Sequence, residues 1–352
     1  MVLSVIIVNW NSAGYLKGCL SSIYAETAGI DFEVLVVDNA SYDGCAELLE
    51  REFPSVKFIQ SKANCGFAAA NNLGVAHSSG RVLLFLNPDT QVRGSALATM
   101  LSVFRAQPNA GIVGCRLLNG DLTLQASCVQ AFPTVWNEFL DCEHLRKAFP
   151  KSRLWGNAVL YVRERGMFHV EAVSGACLMI RRDVFETVGR FNTRYFMYVE
   201  DRDLCYAARR TGYLAYFVNT AEVIHYGGTS SGARSENNFG VVMRCESLRK
   251  FMRYRRGRPY AVAYRSAVAL SACCRLIALW LAAAIRGQMG AGAVLRGAIR
   301  KWWAVLRWSL GLEPWARAYT APANRTATGA APPGSSASAT PSIADAEARR
   351  TF

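Results

Sequence analysis

The chain of 352 residues is long enough to bury one large core or two modest ones. With 51% hydrophobic and 19% charged residues its composition is globular, which excludes a disordered or fibrous chain. The formal charge of +14 is unevenly placed: thirteen basic residues and one acid, Glu313, lie between Lys250 and Arg317, so the remainder is nearly neutral.

Leu3–Val8 is a short run of β-formers ending at Asn9-Trp10-Asn11-Ser12, the pattern of a buried parallel strand. Tyr15–Tyr24 has helical spacing, and Phe32–Val37 forms a second strand that stops at Asp38-Asn39-Ala40-Ser41. A helix over 45–52, a strand over Val56–Ile59, a helix over Ala68–Ala76 and a strand over Val82–Leu86 follow, the last ending in Asn87-Pro88-Asp89-Thr90. This alternation predicts an α/β fold with a mostly parallel sheet and right-handed crossovers. Ligands bind beyond the C-terminal strand ends of such sheets. Polar clusters at strand ends are ordinary turn chemistry, but acids at two of them, Asp38 and Asp89, lie on the rim where ligands sit. No G-x-x-x-x-G-K-S/T or G-x-G-x-x-G loop follows the first strand. A nucleotide diphosphate therefore needs another charge partner, and a divalent cation at Asp89 would supply it.

From about Pro108 to Gly166 the pattern alternates poorly and reads as an irregular, aromatic-rich insertion holding Phe132, Trp136, Phe139, Phe149 and Trp155. These aromatics pack in a core or contribute to an acceptor site. Ser174-Gly175-Ala176 leads a strand with small residues that allow close approach of a ligand. Phe196–Cys205 places Glu200, Asp201 and Asp203 at the start of a helix ending near Gly212. Carboxylates there are helix caps, or are held ionised by free backbone N–H groups as a general base requires. His225 ends a strand before a glycine loop, a position suited to a metal ligand.

Taken together, the Val5–Asn11, Val36–Gly44, Asn64–Asn72, Leu86–Thr90, Ser174–Cys177 and Phe196–Cys205 segments with His225 resemble the family 2 glycosyltransferases. These are inverting enzymes of the GT-A (Rossmann-like) fold, and the rhamnosyltransferase-like bacterial branch is most similar. The resemblance runs from about Leu3 to Arg256. It implies that Val8, Asn9 and Asp38 hold the base and ribose of a nucleotide-sugar donor, and that Asn64, Gly66 and Asn71 line the donor pocket with Asn87 and Gly175. Asp89 is then the last acid of the D-x-D motif, with Asn87 at the place of the first. His225 is the second metal ligand, for Mg²⁺ or Mn²⁺, and Asp201 is the catalytic base, with Glu200 orienting the acceptor. The implied donor is dTDP-rhamnose and the implied acceptor is a lipid-linked saccharide of cell-surface glycan synthesis. Two other readings are a sugar nucleotidyltransferase, for which the triphosphate loop is missing after the first strand, and a non-catalytic membrane-bound assembly subunit.

Three regions are expected: a catalytic domain over 1–256, a basic amphipathic helical region over 257–318, and a disordered Ala/Pro/Ser/Thr-rich tail over 319–352. Ser266–Ile285 has spanning length, but Arg275 near its centre opposes insertion. Val294–Leu312 mixes Trp302, Trp303 and Trp308 with Arg296, Arg300, Lys301 and Arg307, as in an interfacial helix on an anionic leaflet. The alternative is a helical subdomain packed on the catalytic core with a solvated basic face. No nucleic-acid module accompanies the charge. Eleven scattered cysteines without a C-x-x-C pair argue against structural zinc and for buried thiols in a reducing compartment. The N-terminus lacks a signal-peptide core, so the expected location is cytoplasmic, peripheral to the inner face of the cell membrane.

Overall fold

The computed structural model describes residues 2–152, 154–227, 238–285 and 292–319. The tail from 320 onward and the glycine loop from 228 lie outside the described residues. The first half follows the expected alternation: β1 (Leu3–Asn9), α1 (Ala13–Glu26), β2 (Phe32–Asp38), α2 (Cys45–Glu52), β3 (Lys57–Gln60), α3 (Phe67–Ala76) and β4 (Val82–Leu86). β1 is buried along its whole length, as befits a parallel strand covered on both faces. Leu16, Leu20 and Ile23 seal α1 onto the core. In α3, a side chain at Gly74 would sit 2.6 Å from Ile6, so that glycine lets the helix lie directly on the sheet.

β5 (Thr90–Arg93), α4 (Ala96–Ala106) and β6 (Ala110–Leu118) come next. β6 corrects the expectation of an irregular insertion from 108, because it is a buried strand of the central sheet. Its signature is diluted by two glycines that serve packing. A Cβ at Gly111 would meet Tyr213 at 2.7 Å, and one at Gly114 would meet Val173 at 2.5 Å. The remainder of that segment is indeed short-ranged: β7 (Val129–Gln130), α5 (Val135–Phe139) and α6 (Glu143–Ala148). Phe132 and Trp155 are buried there, while Trp136 and Phe149 are exposed.

β8 (Met167–Val170), β9 (Ala172–Val173), β10 (Cys177–Arg181), α7 (Arg182–Thr187), α8 (Glu200–Arg210) and β11 (Leu214–His225) complete the α/β body. The nine-stranded sheet runs β3-β2-β1-β4-β10-β6-β11-β5, with β8 also on β11. β3, β2, β1 and β4 are mutually parallel; β10 is antiparallel to β4 and β6, and β11 runs parallel to β6.

Among the described residues four helices follow: α9 (Phe239–Arg256), α10 (Arg258–Ile285), α11 (Ala293–Leu310) and α12 (Trp315–Ala318). They form a second core with Tyr195, Phe196 and Val199, the residues that lead into α8. Trp308 is buried in that core and donates to Glu246 Oε2 (3.2 Å), and Trp302 lies beneath the Arg275 guanidinium. This corrects the reading of α11 as a wholly interfacial helix: of its three tryptophans only Trp303 is exposed. Within α10 the large apolar side chains Val262, Leu270, Ile277, Trp280 and Leu281 are exposed. Six of the eleven free cysteines are buried, whereas Cys273 and Cys274 on α10 are exposed.

Candidate active site

A cleft of about 440 Å³ opens at the C-terminal ends of β1 and β4 and beneath α8. Val8, Asn64, Gly66, Asn87, Asp89, Gly175, Glu200, Asp201 and His225 all line it. Nine of the twelve residues singled out in the sequence thus converge on one cavity from six separate stretches of chain.

The acid side is set by an unusual turn. Tyr198 and Val199 adopt φ of 67° and 72°, a left-handed conformation that is costly for a β-branched residue and persists only where its surroundings enforce it. Here the second core grips Val199 and presents Glu200 and Asp201 to the cleft. Neither acid caps α8, whose N-cap is Val199 without a side-chain bond. Asp201 instead accepts the N–H of Gly175 (2.9 Å) and of Arg202 (2.7 Å). A Cβ at Gly175 would lie 3.3 Å from the Asp201 Cβ, so glycine is what permits this approach. Glu200 is buried, and burial followed by the neighbouring Asp201 charge pushes its carboxyl up to about 8. Its Oε2 has no hydrogen-bond partner among the described residues. A buried polar atom left in that state on a cavity wall is poised for an incoming hydroxyl. The rest of α8 is clamped: Arg255 binds Asp203 through two nitrogens (2.5 and 3.0 Å), and Arg202 binds Glu138 (3.0 Å).

The opposite wall is made by strand pairing. Asp89 immediately precedes β5, whose Thr90 pairs with His225 at the end of β11. An irregularity between Val218 and Glu222 in the β6–β11 register precedes this pairing; such bulges re-aim a strand. His225 Nε2 comes to 3.4 Å from Asp89 Oδ1 and 3.2 Å from Asn87 Nδ2. Its Nδ1 meets Gln125 Oε1 at 2.7 Å. The Gln125 amide is fixed because its Nε2 donates to Asn119 Oδ1 (3.0 Å) and to His225 O (3.3 Å). Nδ1 therefore carries the hydrogen, and the Nε2 lone pair faces the carboxylate. An imidazole lone pair beside a carboxylate, with the far nitrogen held by a carbonyl oxygen, fits a divalent cation. No group of three His, Cys, Asp or Glu residues forms a closed cage among the described residues. The donor set thus suits Mg²⁺ or Mn²⁺ completed by phosphate oxygens and water. Gln125 carries no sequence signal, since it lies in an irregular stretch 100 residues from His225.

The donor-side loop is tied by amides. Asn39 donates to Asn64 Oδ1 (3.0 Å), which also accepts Gly66 N–H (3.0 Å). Gly66 has φ +83°, and a Cβ there would sit 2.3 Å from Phe196 O, which joins this loop to the acid-bearing segment. Asn9, Asp38 and Asn71 are buried and do not line the cleft. Their side chains hold the scaffold. Asn9 bridges Asp38, Ser41 and Asp43, and Asp38 accepts from Asn9, Ser41, Tyr42 and Gln60, which together hold its carboxyl below the usual range despite burial. Asn71 donates to Phe67 O within its own helix. Asn39, the neighbour of Asp38, is the residue that reaches the cavity.

Residues 4–189 match the family model Glycosyl transferase family 2. The chain is 29% identical over 243 residues to the N-acetylglucosaminyl-diphospho-decaprenol L-rhamnosyltransferase of Mycobacterium tuberculosis, covering 66% of this chain and 78% of that one. It is 25% identical over 232 residues to Rhamnosyltransferase WbbL of Escherichia coli K12, covering 63% and 82%. Among solved structures it resembles mannosyltransferase PcManGT from Pyrobaculum calidifontis, determined with GDP-Man and Mn²⁺. The TM-score there is 0.50 at 18% identity, covering 89% of this chain and 87% of that one. That likeness shows the GT-A fold.

Proposed function

This chain belongs to glycosyl transferase family 2, and from that premise we propose that it is an inverting, metal-dependent rhamnosyltransferase. It moves rhamnose from dTDP-rhamnose to a hydroxyl of a lipid-linked saccharide at the inner membrane face. One juxtaposition carries the reading: Asp201, fastened by the Gly175 N–H, opens on the same cleft as the Asp89–His225 pair. Asp201 takes the proton of the acceptor hydroxyl as that oxygen attacks the anomeric carbon and the bond to the diphosphate breaks. Glu200, neutral through burial, offers its free carboxyl oxygen to orient the acceptor. Asp89 and His225 would hold a divalent cation, which would supply positive charge to offset the departing diphosphate. Gln125 keeps the His225 lone pair turned to that position.

The choice of rhamnose rests on the two rhamnosyltransferase relatives, and the lipid-linked acceptor on the diphospho-decaprenol in the name of one of them. Membrane association rests on α10. Within it Arg258–Ala284 is long and apolar enough to cross a bilayer. Arg275, however, donates to Asp141 O (2.8 Å) and stacks on Trp302, which binds the middle of the helix to the body, so we read it as lying on the surface. The test is turnover by purified protein with a panel of nucleotide sugars, Mn²⁺ and a lipid extract. The expected result is dTDP release from dTDP-rhamnose alone, raised by lipid and abolished by EDTA. Release from another donor, or activity indifferent to EDTA, would overturn the donor or the metal assignment respectively.

A further inference from the structure

A second cavity, of about 610 Å³, lies away from the catalytic cleft between α9, α10 and α11. Arg249, Arg253, Arg258 and Arg265 line it over an apolar floor that includes Val262 and Leu310. Glu246 pairs with Arg249 at 2.6 Å, and Arg265 donates to Ser309 O (2.6 Å). Arg253 and Arg258 are exposed and pair with no acid among the described residues. Burial and then the charges of Arg317 and Arg249 hold the Arg265 guanidinium below the usual arginine range, with Glu246 opposing them, as expected where cations outnumber the nearby acid. Guanidinium groups so arranged match phosphate oxygens.

The cavity does not end at its arginines. Val262 on its floor begins an exposed stripe with Leu270, Ile277 and Leu281, flanked by Trp280, each more than half exposed. The spacing keeps these residues on one face of α10 over roughly 28 Å at 1.5 Å per residue. Between Ser266 and Ile285 the one charged residue is Arg275, which is turned to the body.

The geometry points to this groove as a binding site for the phosphate of an anionic bilayer lipid, whose acyl chains lie along the apolar stripe of α10. It rests on the membrane-docking part of the function proposed above and names the partner of that surface. The site is distinct from the acceptor site, because none of the arginines lining it borders the catalytic cleft.

The test is flotation of the full chain with phosphatidylglycerol or phosphatidylcholine vesicles. Each basic residue at a membrane surface is worth about fivefold in partitioning. Arg253→Gln/Arg258→Gln should therefore weaken binding to phosphatidylglycerol about 25-fold, and Arg253→Lys/Arg258→Lys should retain it. The charge-matched Arg105→Gln/Arg210→Gln control, at exposed positions of α4 and α8, lies outside the groove and should lose much less. An equal loss in that control, or wild-type binding indifferent to phosphatidylglycerol, would overturn the proposal. Displacement from vesicles by millimolar inorganic phosphate at constant ionic strength would assign the groove to free phosphate instead. Transfer to a soluble acceptor analogue should be unchanged in the groove variant, so failure here stays separate from failure of the catalytic reading.

Discussion

In the catalytic cleft three acids face one cavity, Glu200 and Asp201 from one wall and Asp89 from the other, and Asp201 is set by short bonds from backbone N–H groups. In the layer formed by α9 to α12 the charge is reversed, and arginines on long side chains stack on aromatic rings or stand open to solvent. The contrast follows from the tasks proposed for the two regions. Taking a proton from a hydroxyl as it attacks a carbon centre demands placement within tenths of an ångström, which glycine N–H groups and strand register supply. Recognition of a fluid anionic surface demands reach and charge, which flexible cations supply. The two regions are joined at α8, where Arg255 clamps Asp203 and Glu138 bridges Arg202 to Arg244.

The comparison breaks most sharply at Asp201. Asp201→Asn keeps the Gly175 bond but removes the base, and should lower kcat by about 10²–10⁴ while leaving vesicle flotation intact. Wild-type turnover in single-turnover assays would remove Asp201 from the mechanism. Next in size is Gln125→Leu, which frees the His225 ring. Mn²⁺ affinity, read by electron paramagnetic resonance titration, should fall about 10–100-fold with the melting temperature little changed. Unaltered affinity would show that the ring needs no support.

A third effect concerns Glu200, whose carboxyl rises from the ordinary 4.5 to about 8 in the folded chain. Folding favours its protonated form, so its contribution is complete below pH 4.5 and is lost as pH climbs through about 8. Stability should therefore decline across that window by up to about 1.4 kcal/mol per pH unit from this group. Glu200→Gln should flatten the decline in denaturant titrations at several pH values, and an unchanged slope would exclude a neutral Glu200.

Much of the cleft was legible in the chain because each feature there is local. The runs Leu3–Val8 and Val82–Leu86 announce buried strands, and the polar residues just after them sit on the rim of a parallel sheet by topology alone. The Glu200-Asp201 pair was legible too, although its role as a helix cap was not excluded until the left-handed Val199 and the Gly175 contact were seen. β6 was missed because Gly111 and Gly114, needed for packing against Tyr213 and Val173, erase the strand pattern. Trp308 looked interfacial because composition cannot tell which face of an amphipathic helix a neighbouring helix covers.

The sequence by itself determined the alternation of elements, the parallel half of the sheet, the charge asymmetry and the identity of the acids at the strand ends, since these depend on periodicity and composition within short windows. The tertiary structure alone decided that Asp38 is held by Asn9 and Gln60 of neighbouring strands as well as by its own loop, while Asn39 faces the cavity. It also decided that Gln125 steadies a histidine 100 residues away, and that four arginines from two helices surround one apolar groove. Those outcomes depend on strand register and helix packing, which bring distant side chains within hydrogen-bonding range and leave no trace in local pattern.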